Sequence, residues 1–524
     1  MPSSERIPRD FVRIIGVDRR IAVETAGDLK LKMLVKESLT YSRSRMLRGE
    51  EAKQAKEQGL PIKVTERVEC CIDNEAGQVE FPAGFIPRVV TDLREHGYNV
   101  HVDRSRSPAV RPNAFQPSFD NLKAVLARWE KVKKVKFKWR KSLLKAIKSI
   151  VKNESGQYEI PTGAGKTIIL VIIAALFPRA KIHIATKSST LLADLETLFC
   201  RIFPSVGVVK SSRRETSRRI VLFSLSSIHH SDYDADFLLV DEAHESGTDK
   251  IFESLLPYQT CRSFGLSASL TLRRDGGDML IEGLLGPVRV RIPYQEVVEE
   301  GDIRDIRVIW RSVPGKLPSR SCWAIEQRPS NKQKIAVWRY KPRNERIAED
   351  LRYFLSLGLQ VLVSVQFVEH ALWIRKDGGF SPEELPIVFD KVDMKKAANF
   401  RRLKLIQHSG ELMMTPARRG HLKKAFESGK LRAAIATSVW SRGVNFMHLD
   451  VLQRAEAVMS GIPSVQLPGR LSRLNPRFPF GILVDYRNSH FEEFIGIDAA
   501  RKKIYEAQGW QQFEVPGSLA KEIR

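Results

Sequence analysis

A glycine-rich segment, Ile160-Pro-Thr-Gly-Ala-Gly-Lys-Thr167, lies between the end of a short hydrophobic strand and an apolar helix. Small residues allow the backbone N–H groups of such a loop to converge on phosphate oxygens, and the helix N-terminus adds partial positive charge. The general pattern GxxxxGK[ST] has glycine where this chain has Ile160, so a chance occurrence in a loop is the alternative. The residues predicted to hold nucleotide phosphates are Thr162, Gly163, Ala164, Gly165 and Lys166, and Thr167 is predicted to ligate Mg²⁺.

Two carboxylates follow an apolar stretch in Leu238-Leu-Val-Asp-Glu-Ala-His244. Ligands of a parallel sheet bind at the carboxyl ends of its strands, where these side chains would emerge. Asp241 is therefore predicted to hold Mg²⁺, directly or through water, and Glu242 to polarise an attacking water molecule. The alternative is the acidic start of a helix, but Asp241 ends a strand of buried type, 75 residues after Lys166. Together the two motifs predict hydrolysis of ATP, with Lys166 reaching the β- and γ-phosphates.

Two arginines lie in the segment Gln466-Leu-Pro-Gly-Arg-Leu-Ser-Arg473. Phosphoryl transfer leaves charge on the γ-phosphate that one lysine and one Mg²⁺ do not fully neutralise, and an arginine from elsewhere is the usual remedy. Arg470 and Arg473 are the predicted donors, and Gln466 is predicted to contact the nucleotide. An arginine on a separate lobe would connect lobe closure to hydrolysis. Arginines are abundant in this chain, so the segment by itself is weak evidence for this role. The evidence is that the segment follows the other two motifs along the chain.

The elements that would position these residues alternate between strands and helices from about residue 156. Such alternation is typical of parallel sheets covered by helices, and its recurrence predicts two α/β lobes joined near 300–340. The predicted helices are 168–176, 191–203, 347–357 and 420–428. The predicted strands are 181–185, 220–224, 237–240, 263–266, 360–364, 433–436 and 481–484. The predicted domains are 1–128, 129–305, 306–500 and a C-terminal helix or tail at 501–524.

Residues 1–128 are predicted to form a smaller mixed α/β domain. Its pattern indicates a strand and a Pro/Gly turn in 78–88, a helix at 89–96 and a strand at 98–103. Residues 104–118 hold three prolines together with several serines and arginines, which indicates a linker.

The charge of the chain favours a polyanionic partner. Its 524 residues carry 86 Lys and Arg against 61 Asp and Glu, which gives a net charge of +25. Between Lys131 and Lys148 there are nine basic residues and no acid, and the apolar spacing predicts a helix with a basic face. That face is either solvated or directed at phosphates. An anionic membrane surface is the other candidate partner, but no basic amphipathic anchor stands out.

The remaining composition predicts a protein of a reducing compartment. The five cysteines form no CxxC pair and no Cys/His ligand spacing, which argues against zinc and disulfide frameworks. The N-terminus is polar and charged, and the longest apolar run, Ile168 to Phe177, is about half of a membrane span. We therefore expect a cytoplasmic protein, in a bacterium or in a host cell infected by phage.

Taken in order, these motifs resemble those of the superfamily 2 helicases over about residues 137–510. Thr162–Thr167 resembles motif I (Walker A), and Asp241-Glu-Ala-His244 resembles motif II in its DEAH form. Ser267-Ala-Ser269 resembles motif III, and Gln466–Arg473 resembles motif VI. The resemblance implies two RecA-like lobes that close on ATP and Mg²⁺. It also implies coupling roles for His244, Ser267, Ser269 and Gly443, and nucleic-acid contacts for Thr186, Lys187, His408 and Thr437.

Within the superfamily the chain is most similar to the group of XPB and UvsW, the latter being phage helicases that remodel branched DNA. The shared features are Arg273-Arg-Asp-Gly276, Leu284-Leu-Gly-Pro-Val288 and an N-terminal Phe81-Pro-Ala-Gly-Phe-Ile-Pro87. Three features depart from the group. Phe137–Lys141 stands where the group has an aromatic–Gln pair for adenine, Leu270 stands where Pro is commoner, and 376–403 is longer than usual.

The function implied is a DNA helicase or translocase that hydrolyses ATP and unwinds or branch-migrates forked or branched DNA. An RNA helicase is the nearest alternative, since DEAH motifs occur in both. The others are a nucleic-acid-binding subunit without an active motor and the motor of a restriction system.

Overall fold

The computed structural model describes residues 11–17, 20–24, 28–47, 49–58, 61, 63–103, 112–258, 261–270, 275–440, 446, 448–457, 465–475 and 478–519. By their contacts these residues form two units. The first contains the chain up to Ile160 and Gly165–Ile292, and the second contains Pro161–Ala164 and the chain from Pro293 onwards. The division falls at 292/293, close to the predicted domain boundary at 305/306.

The N-terminal part of the first unit is a small sheet with three helices beside it. Its strands, in spatial order, are Ile72–Asp73, Val79–Pro82, Arg20–Glu24, Phe11–Val17 and Asn99–Asp103. Its helices are Leu29–Ser38, Gly49–Glu57 and Ile86–Glu95. An antiparallel hairpin, Thr40–Met46 with Lys63–Glu69, stands apart from this sheet. The predicted mixed α/β domain is present, and the predicted helix at 89–96 begins three residues earlier.

The rest of the first unit is a mostly parallel sheet. Its strands, in spatial order, are Arg213–Arg214, Val206–Lys210, Ile220–Ser224, Ile182–Thr186, Phe237–Asp241, Arg262–Ser267, Ser155–Glu159 and Val288–Arg291. Only the Val206–Lys210 and Arg213–Arg214 pair is antiparallel among these described strands. The helices are Phe119–Lys133, Lys141–Lys152, Lys166–Leu176, Ser189–Ile202, Asp249–Leu255 and Gly277–Leu285.

The central position of two of these elements explains their apolar sequences. All five residues of Phe237–Asp241 are buried, as are all residues of the helix Lys166–Leu176 from Ile168 onwards. A strand covered on both faces has no polar face to alternate with, so its sequence is a continuous apolar run. The run in 237–240 therefore ends at the first position where a carboxylate can reach the edge of the sheet.

The second unit contains a parallel sheet as well. Its strands, in spatial order, are Ile387–Val388, Ala433–Ala436, Val361–Ser364, Val451–Arg454, Phe480–Tyr486, Asp305–Arg311 and Gln511–Val515. Its helices are Tyr294–Glu299, Ser319–Gln327, Lys341–Ser356, Val368–Asp377, Met394–Arg402, Pro416–Glu427 and Ile495–Ala507. Among the helices formed by the described residues, none is both long and apolar enough to cross a membrane.

The predicted fold class, two parallel-sheet lobes with a smaller N-terminal α/β domain, is confirmed. Two local predictions are wrong. The basic run is not one helix, because Phe119–Lys133 ends where Lys134 takes a left-handed conformation (φ 56°), and the next helix begins at Lys141. The segment from 501 is not only a helix or tail, because Gln511–Val515 pairs with Asp305–Arg311 and extends the second sheet. Of the predicted linker, 104–111 lies outside the described residues.

The N-terminal domain shares its core with the helix Gly277–Leu285. Phe85 and Leu280 belong to one buried cluster, and a Cβ added to Gly283 would lie 2.7 Å from Phe85 Cε2. Two ion pairs reinforce this packing. Arg88 Nη2 lies 2.6 Å from Glu282 Oε2, and Arg43 Nη1 lies 2.7 Å from Asp249 Oδ2. The domain is therefore packed against the helix that follows the strand Arg262–Ser267 of the larger sheet in the first unit.

Replacing Phe85 tests this shared core. Phe85 is fully buried, so Phe85→Ala should lower the free energy of unfolding by about 3–5 kcal/mol. Phe119→Ala is the matched control, since Phe119 is 66% exposed and its loss should change stability by no more than about 0.5 kcal/mol. Urea unfolding followed by circular dichroism measures both. Equal midpoints for the two variants would show that Phe85 does not hold the domain in place.

Candidate nucleotide site

The glycine-rich loop has the backbone conformation that its glycines permit. Gly163 and Gly165 have φ values of 86° and 100°, in the left-handed region that disfavours other residues. Gly165 then caps the N-terminus of the helix Lys166–Leu176. The loop begins at the end of Ser155–Glu159, and Ile160 N donates to Ser267 O at 2.7 Å. The helix N-terminus and the open backbone of this loop form a cradle suited to phosphates.

Lys166 and the two carboxylates of the DEAH segment lie together in the first unit. Lys166 Nζ is 3.8 Å from Glu242 Oε1 and donates to Ile160 O at 3.4 Å. Asp241 ends the central strand and is 5% exposed. Burial raises the pKa of Asp241 to about 7, with a further contribution from the charge of Glu242, while Lys166 acts in the opposite direction. This carboxyl therefore lies where an additional cation would stabilise its charged form.

Glu242 has an uncommon backbone conformation. Its φ is 52° and its ψ is 51°, which costs free energy for a residue with a side chain. The conformation turns the chain directly after the strand, and Glu242 Oε1 faces Lys166 as a result. Strain of this kind persists where the surroundings enforce it, and it is frequent at sites that carry chemistry.

A buried hydrogen-bond chain joins the DEAH segment to the next strand. His244 Nδ1 lies 2.8 Å from Ser267 Oγ, and Ser269 N donates to the same oxygen at 3.1 Å. Glu242 Oε2 lies 3.5 Å from His244 Nδ1. The residues His244, Ser267 and Ser269 are each at most 2% exposed. These three predicted coupling residues are thus in mutual contact.

The predicted nucleic-acid residues fall into two groups. Lys187 and His408 are at the surface, with Lys187 Nζ 3.1 Å from Glu245 Oε2. Thr186 and Thr437 are buried, at 0% and 9% exposure, and Thr437 Oγ1 donates to Val388 O at 3.4 Å. Each threonine is at or just beyond the end of a covered strand, with its side chain in the interior. Both side chains therefore lie in the interior of this conformation, and the contact of these two residues with nucleic acid stays a prediction.

Thr167 is exposed in the first turn of the helix Lys166–Leu176, and the second unit holds the arginine segment. Arg470 lies in a short 3-10 helix, Pro468–Ser472, and Arg473 follows it. Ser472 Oγ donates to Thr162 O at 3.1 Å, and a Cβ added to Gly469 would lie 3.0 Å from the Thr162 side chain. Thr162, Gly163 and Ala164 group with this unit through such contacts. Gln466 is half-buried just before that helix, and Gly443 lies outside the described residues.

Sequence reasoning missed two residues that contact the loop. Ser472 was inside the arginine segment but had no assigned role. A Cβ added to Gly165 would lie 2.8 Å from Arg140 Nη2, so Arg140 also lies against the loop. In the sequence, this contact is indicated by the position of Arg140, which follows Trp139 and directly precedes the helix Lys141–Lys152.

The chain is similar in sequence to known proteins. Residues 127–272 match the family described as "Type III restriction enzyme, res subunit". A protein of the Sulfolobus islandicus filamentous virus (isolate Iceland/Hveragerdi), "Putative helicase 22", is 23% identical over 390 residues, which are 68% of this chain. The chain spans 65% of the length of that relative.

Two solved structures are similar over most of the chain. The crystal structure of UvsW from bacteriophage T4 matches over 97% of this chain and 99% of that chain, with 15% identity and a TM-score of 0.40. Saccharomyces cerevisiae Dbp5 bound to RNA and ADP·BeF3 is similar with a TM-score of 0.52 and 12% identity, over 78% of this chain and 97% of that chain. The chain therefore has a fold similar to that of Dbp5.

Ser267→Ala tests the buried hydrogen-bond chain of this site. The substitution leaves His244 Nδ1 and Ser269 N without their shared oxygen in a dry interior, so the free energy of unfolding should fall by about 1–3 kcal/mol. Ser269→Ala is the matched control, because Ser269 Oγ is buried and makes no hydrogen bond to the described residues. Thermal unfolding compares the two variants. A larger loss in Ser269→Ala than in Ser267→Ala would contradict the assignment.

Proposed function

We propose that this chain is a helicase that hydrolyses ATP and uses the energy to move along DNA. The observation that carries the proposal is the position of Lys166 at a helix N-terminus, 3.8 Å from Glu242 and beside the buried Asp241. A cation for phosphates, a carboxylate for water and a second carboxylate for a metal ion are the groups that NTP hydrolysis requires.

Each group has a distinct part in the reaction. The backbone of Gly163–Gly165 and the Lys166 ammonium bind the phosphates, and Gln466 contacts the nucleotide. Glu242 polarises the attacking water, and Lys166 orients the Glu242 carboxylate. Thr167 and Asp241 would hold Mg²⁺, which offsets the negative charge of the phosphates when it is bound. Arg470 and Arg473 supply further positive charge during phosphoryl transfer.

The buried chain from Glu242 through His244 to Ser267 provides coupling. A change in hydrogen bonding at Glu242 reaches the strand Arg262–Ser267 through two contacts. The helix that follows this strand, Gly277–Leu285, packs on the N-terminal domain. A change at the nucleotide site can therefore reach the N-terminal domain, which we propose contacts the DNA.

The Glu242→Gln variant tests hydrolysis most directly. It keeps the shape of the side chain but removes its charge, so turnover should fall by roughly 10²-fold or more while nucleotide binding persists. Lys166→Ala is the companion variant and should weaken both binding and turnover. Steady-state phosphate release and equilibrium nucleotide binding distinguish the two effects. Near-normal turnover in Glu242→Gln would remove Glu242 from its proposed role.

The nucleic-acid surface is proposed to include the basic run and Lys187. The run continues from the helix Phe119–Lys133 through a loop, and Lys133, Lys134 and Lys136 are exposed. Phosphates are the partner that an exposed, unbroken series of cations attracts most strongly. RNA is the alternative substrate, as Dbp5 is bound to RNA in its structure. Comparing the stimulation of hydrolysis by DNA and by RNA of the same sequence separates the two.

Salt dependence tests the basic run. Replacing Lys133, Lys134 and Lys136 together by Gln should flatten the slope of log K against log salt by about 0.9 for each duplex phosphate that the variant no longer neutralises. The matched control replaces Lys391, Lys395 and Lys396, three exposed lysines of the second unit. Fluorescence anisotropy over a salt series gives both slopes. If the control flattens the slope as much, the run has no special part in binding.

Preference for branched DNA is proposed to come from the N-terminal domain. Contacts to phosphates position a protein without specifying a structure, so recognition of a fork needs a further surface. The hairpin Thr40–Met46 with Lys63–Glu69 and the helix Gly49–Glu57 provide one, with Lys53 and Arg67 exposed on it. The alternative is that the domain only stabilises the first unit. Its shared core with Gly277–Leu285 makes truncation an unsuitable test.

Point variants avoid that difficulty. Replacing Lys53 and Arg67 by Gln should reduce the ratio of fork affinity to linear-duplex affinity, while hydrolysis on linear DNA continues. Lys341→Gln, at a position 67% exposed in the second unit, is the control. Competition binding with fork, four-way junction and blunt duplex measures the ratio. An unchanged ratio would assign structure preference to the motor itself.

The motor of a restriction system is a second candidate, favoured by the "res subunit" match over residues 127–272. Cleavage of plasmid DNA by the protein with Mg²⁺ and ATP would favour this candidate, because a restriction motor together with its nuclease cuts the DNA.

A further inference from the structure

A series of polar contacts connects the surface of the first unit with the buried part of the DEAH segment, and its outer end is an ion pair. Lys187 Nζ lies 3.1 Å from Glu245 Oε2. Lys187 is exposed and directly follows the strand Ile182–Thr186, whereas the side chain of Glu245 is only 9% exposed. Glu245 Oε1 in turn lies 3.8 Å from His244 Nε2. A surface lysine is therefore connected to a buried histidine through one carboxylate.

The inner end of this series is formed by the two ring nitrogens of His244. Nδ1 lies 2.8 Å from Ser267 Oγ and 3.5 Å from Glu242 Oε2, and Nε2 faces Glu245. A neutral imidazole carries one N–H group, which is on one nitrogen or on the other. The position of that proton therefore decides whether the ring donates towards Glu245 or towards Glu242.

A proton on Nε2 suits the observed contacts. The ring then donates to the Glu245 carboxylate, and Nδ1 accepts from the Ser267 hydroxyl, whose oxygen accepts from Ser269 N at 3.1 Å. Glu242 Oε2 gains no donor from the ring in this tautomer, and it has no hydrogen-bond partner among the residues that the structure describes. That oxygen is thus left to accept a hydrogen bond from the attacking water.

A proton on Nδ1 has the opposite effect, although the ring holds the same number of protons. This N–H group lies between Ser267 Oγ and Glu242 Oε2, so it can be donated to the carboxylate that we propose polarises water. The bare Nε2 then faces Glu245, which is unfavourable because two hydrogen-bond acceptors oppose each other. The negative charge of Glu245 therefore favours the tautomer that leaves Glu242 available, and a cation bound to Glu245 weakens that preference.

We propose that Glu245 is a positioning residue for hydrolysis and that Lys187 controls it in response to DNA. The inference rests on the proposed function, in which Glu242 polarises water and Lys187 belongs to the DNA surface. In the absence of DNA, the lysine offsets the charge of Glu245 and weakens its hydrogen bond with His244. A DNA phosphate competes for the same ammonium group. Release of the lysine strengthens the acceptor at Glu245, fixes the histidine proton on Nε2 and leaves Glu242 free to bind water.

The first test replaces Lys187 by Gln. Loss of the ion pair should imitate DNA, so kcat without DNA should rise by about fivefold, which corresponds to the energy of a partly exposed ion pair. Lys187→Arg keeps the cation and should retain the kcat of the unaltered protein. Lys210→Gln is the matched control, because Lys210 Nζ forms a comparable ion pair with Glu196, at 3.4 Å, on another strand of the sheet. An unchanged kcat without DNA in Lys187→Gln would overturn the proposal.

The second test is a double-mutant cycle with Glu245, which separates this positioning role from a merely structural one. Glu245→Gln removes the charge that selects the tautomer, so the ratio of kcat with saturating DNA to kcat without DNA should fall by roughly tenfold. In that background Lys187→Gln should have no further effect on the ratio. A structural role would lower both rates by the same factor, and the unchanged ratio would overturn the proposal. An effect of Lys187→Gln that persists in the Glu245→Gln protein would overturn it as well.

The same measurements keep this inference distinguishable from the proposed function. Hydrolysis by the unaltered protein that DNA does not stimulate would leave the nucleotide site in place and overturn the control by Lys187. No hydrolysis by the unaltered protein with DNA and Mg²⁺ would remove the proposed function and this inference with it. If Glu245→Gln does not fold, the exposed Lys187→Gln substitution decides the matter by itself.

Discussion

The Asp241 carboxylate is buried beside a second carboxylate, and this pair sets what the surrounding structure must provide. Burial and the charge of Glu242 both raise the pKa of Asp241, to about 7. Asp241 can stay charged only if cations are close, and within the described residues of the first unit Lys166 Nζ lies 3.8 Å from the neighbouring Glu242. The remaining deficit is what bound Mg²⁺ would offset. Holding two carboxylates close together costs free energy in the unbound protein. A bound metal–nucleotide complex would offset that cost, which favours binding of the complex.

The parallel sheet makes this arrangement possible. The strands Ser155–Glu159, Phe237–Asp241 and Arg262–Ser267 end at the same edge, so the loop after the first, the carboxylates after the second and Ser267 at the end of the third lie together. The segments that follow these three strands differ in length, and they meet within a few residues of one another at this edge of the sheet. The chain turns sharply at that edge through the positive φ values of Gly165 and Glu242, which cost conformational free energy locally. A sheet of the same strands with other connections would separate the lysine from the glutamate.

Much of this could be predicted from the sequence because the signals are local. Continuous apolar runs gave Ile220–Ser224 and Ala433–Ala436 with the observed bounds, and the spacing of glycines, lysine and carboxylates indicated the site. Predictions failed where the outcome depends on a single backbone angle or on distant packing. The left-handed Lys134 divides the basic run, and nothing in a lysine's side chain indicates it. The shared core of Phe85 and Leu280 joins residues almost two hundred positions apart, which no local pattern indicates.

The central claim is that nucleotide hydrolysis moves this chain along DNA. Displacement of a third strand from a DNA triplex measures movement without requiring separation of the duplex. The account predicts that the unaltered protein releases the third strand only with hydrolysable nucleotide and Mg²⁺, at a rate that falls with Glu242→Gln in proportion to its turnover. Hydrolysis stimulated by DNA without release of the third strand, or release that persists with a non-hydrolysable analogue, would contradict it.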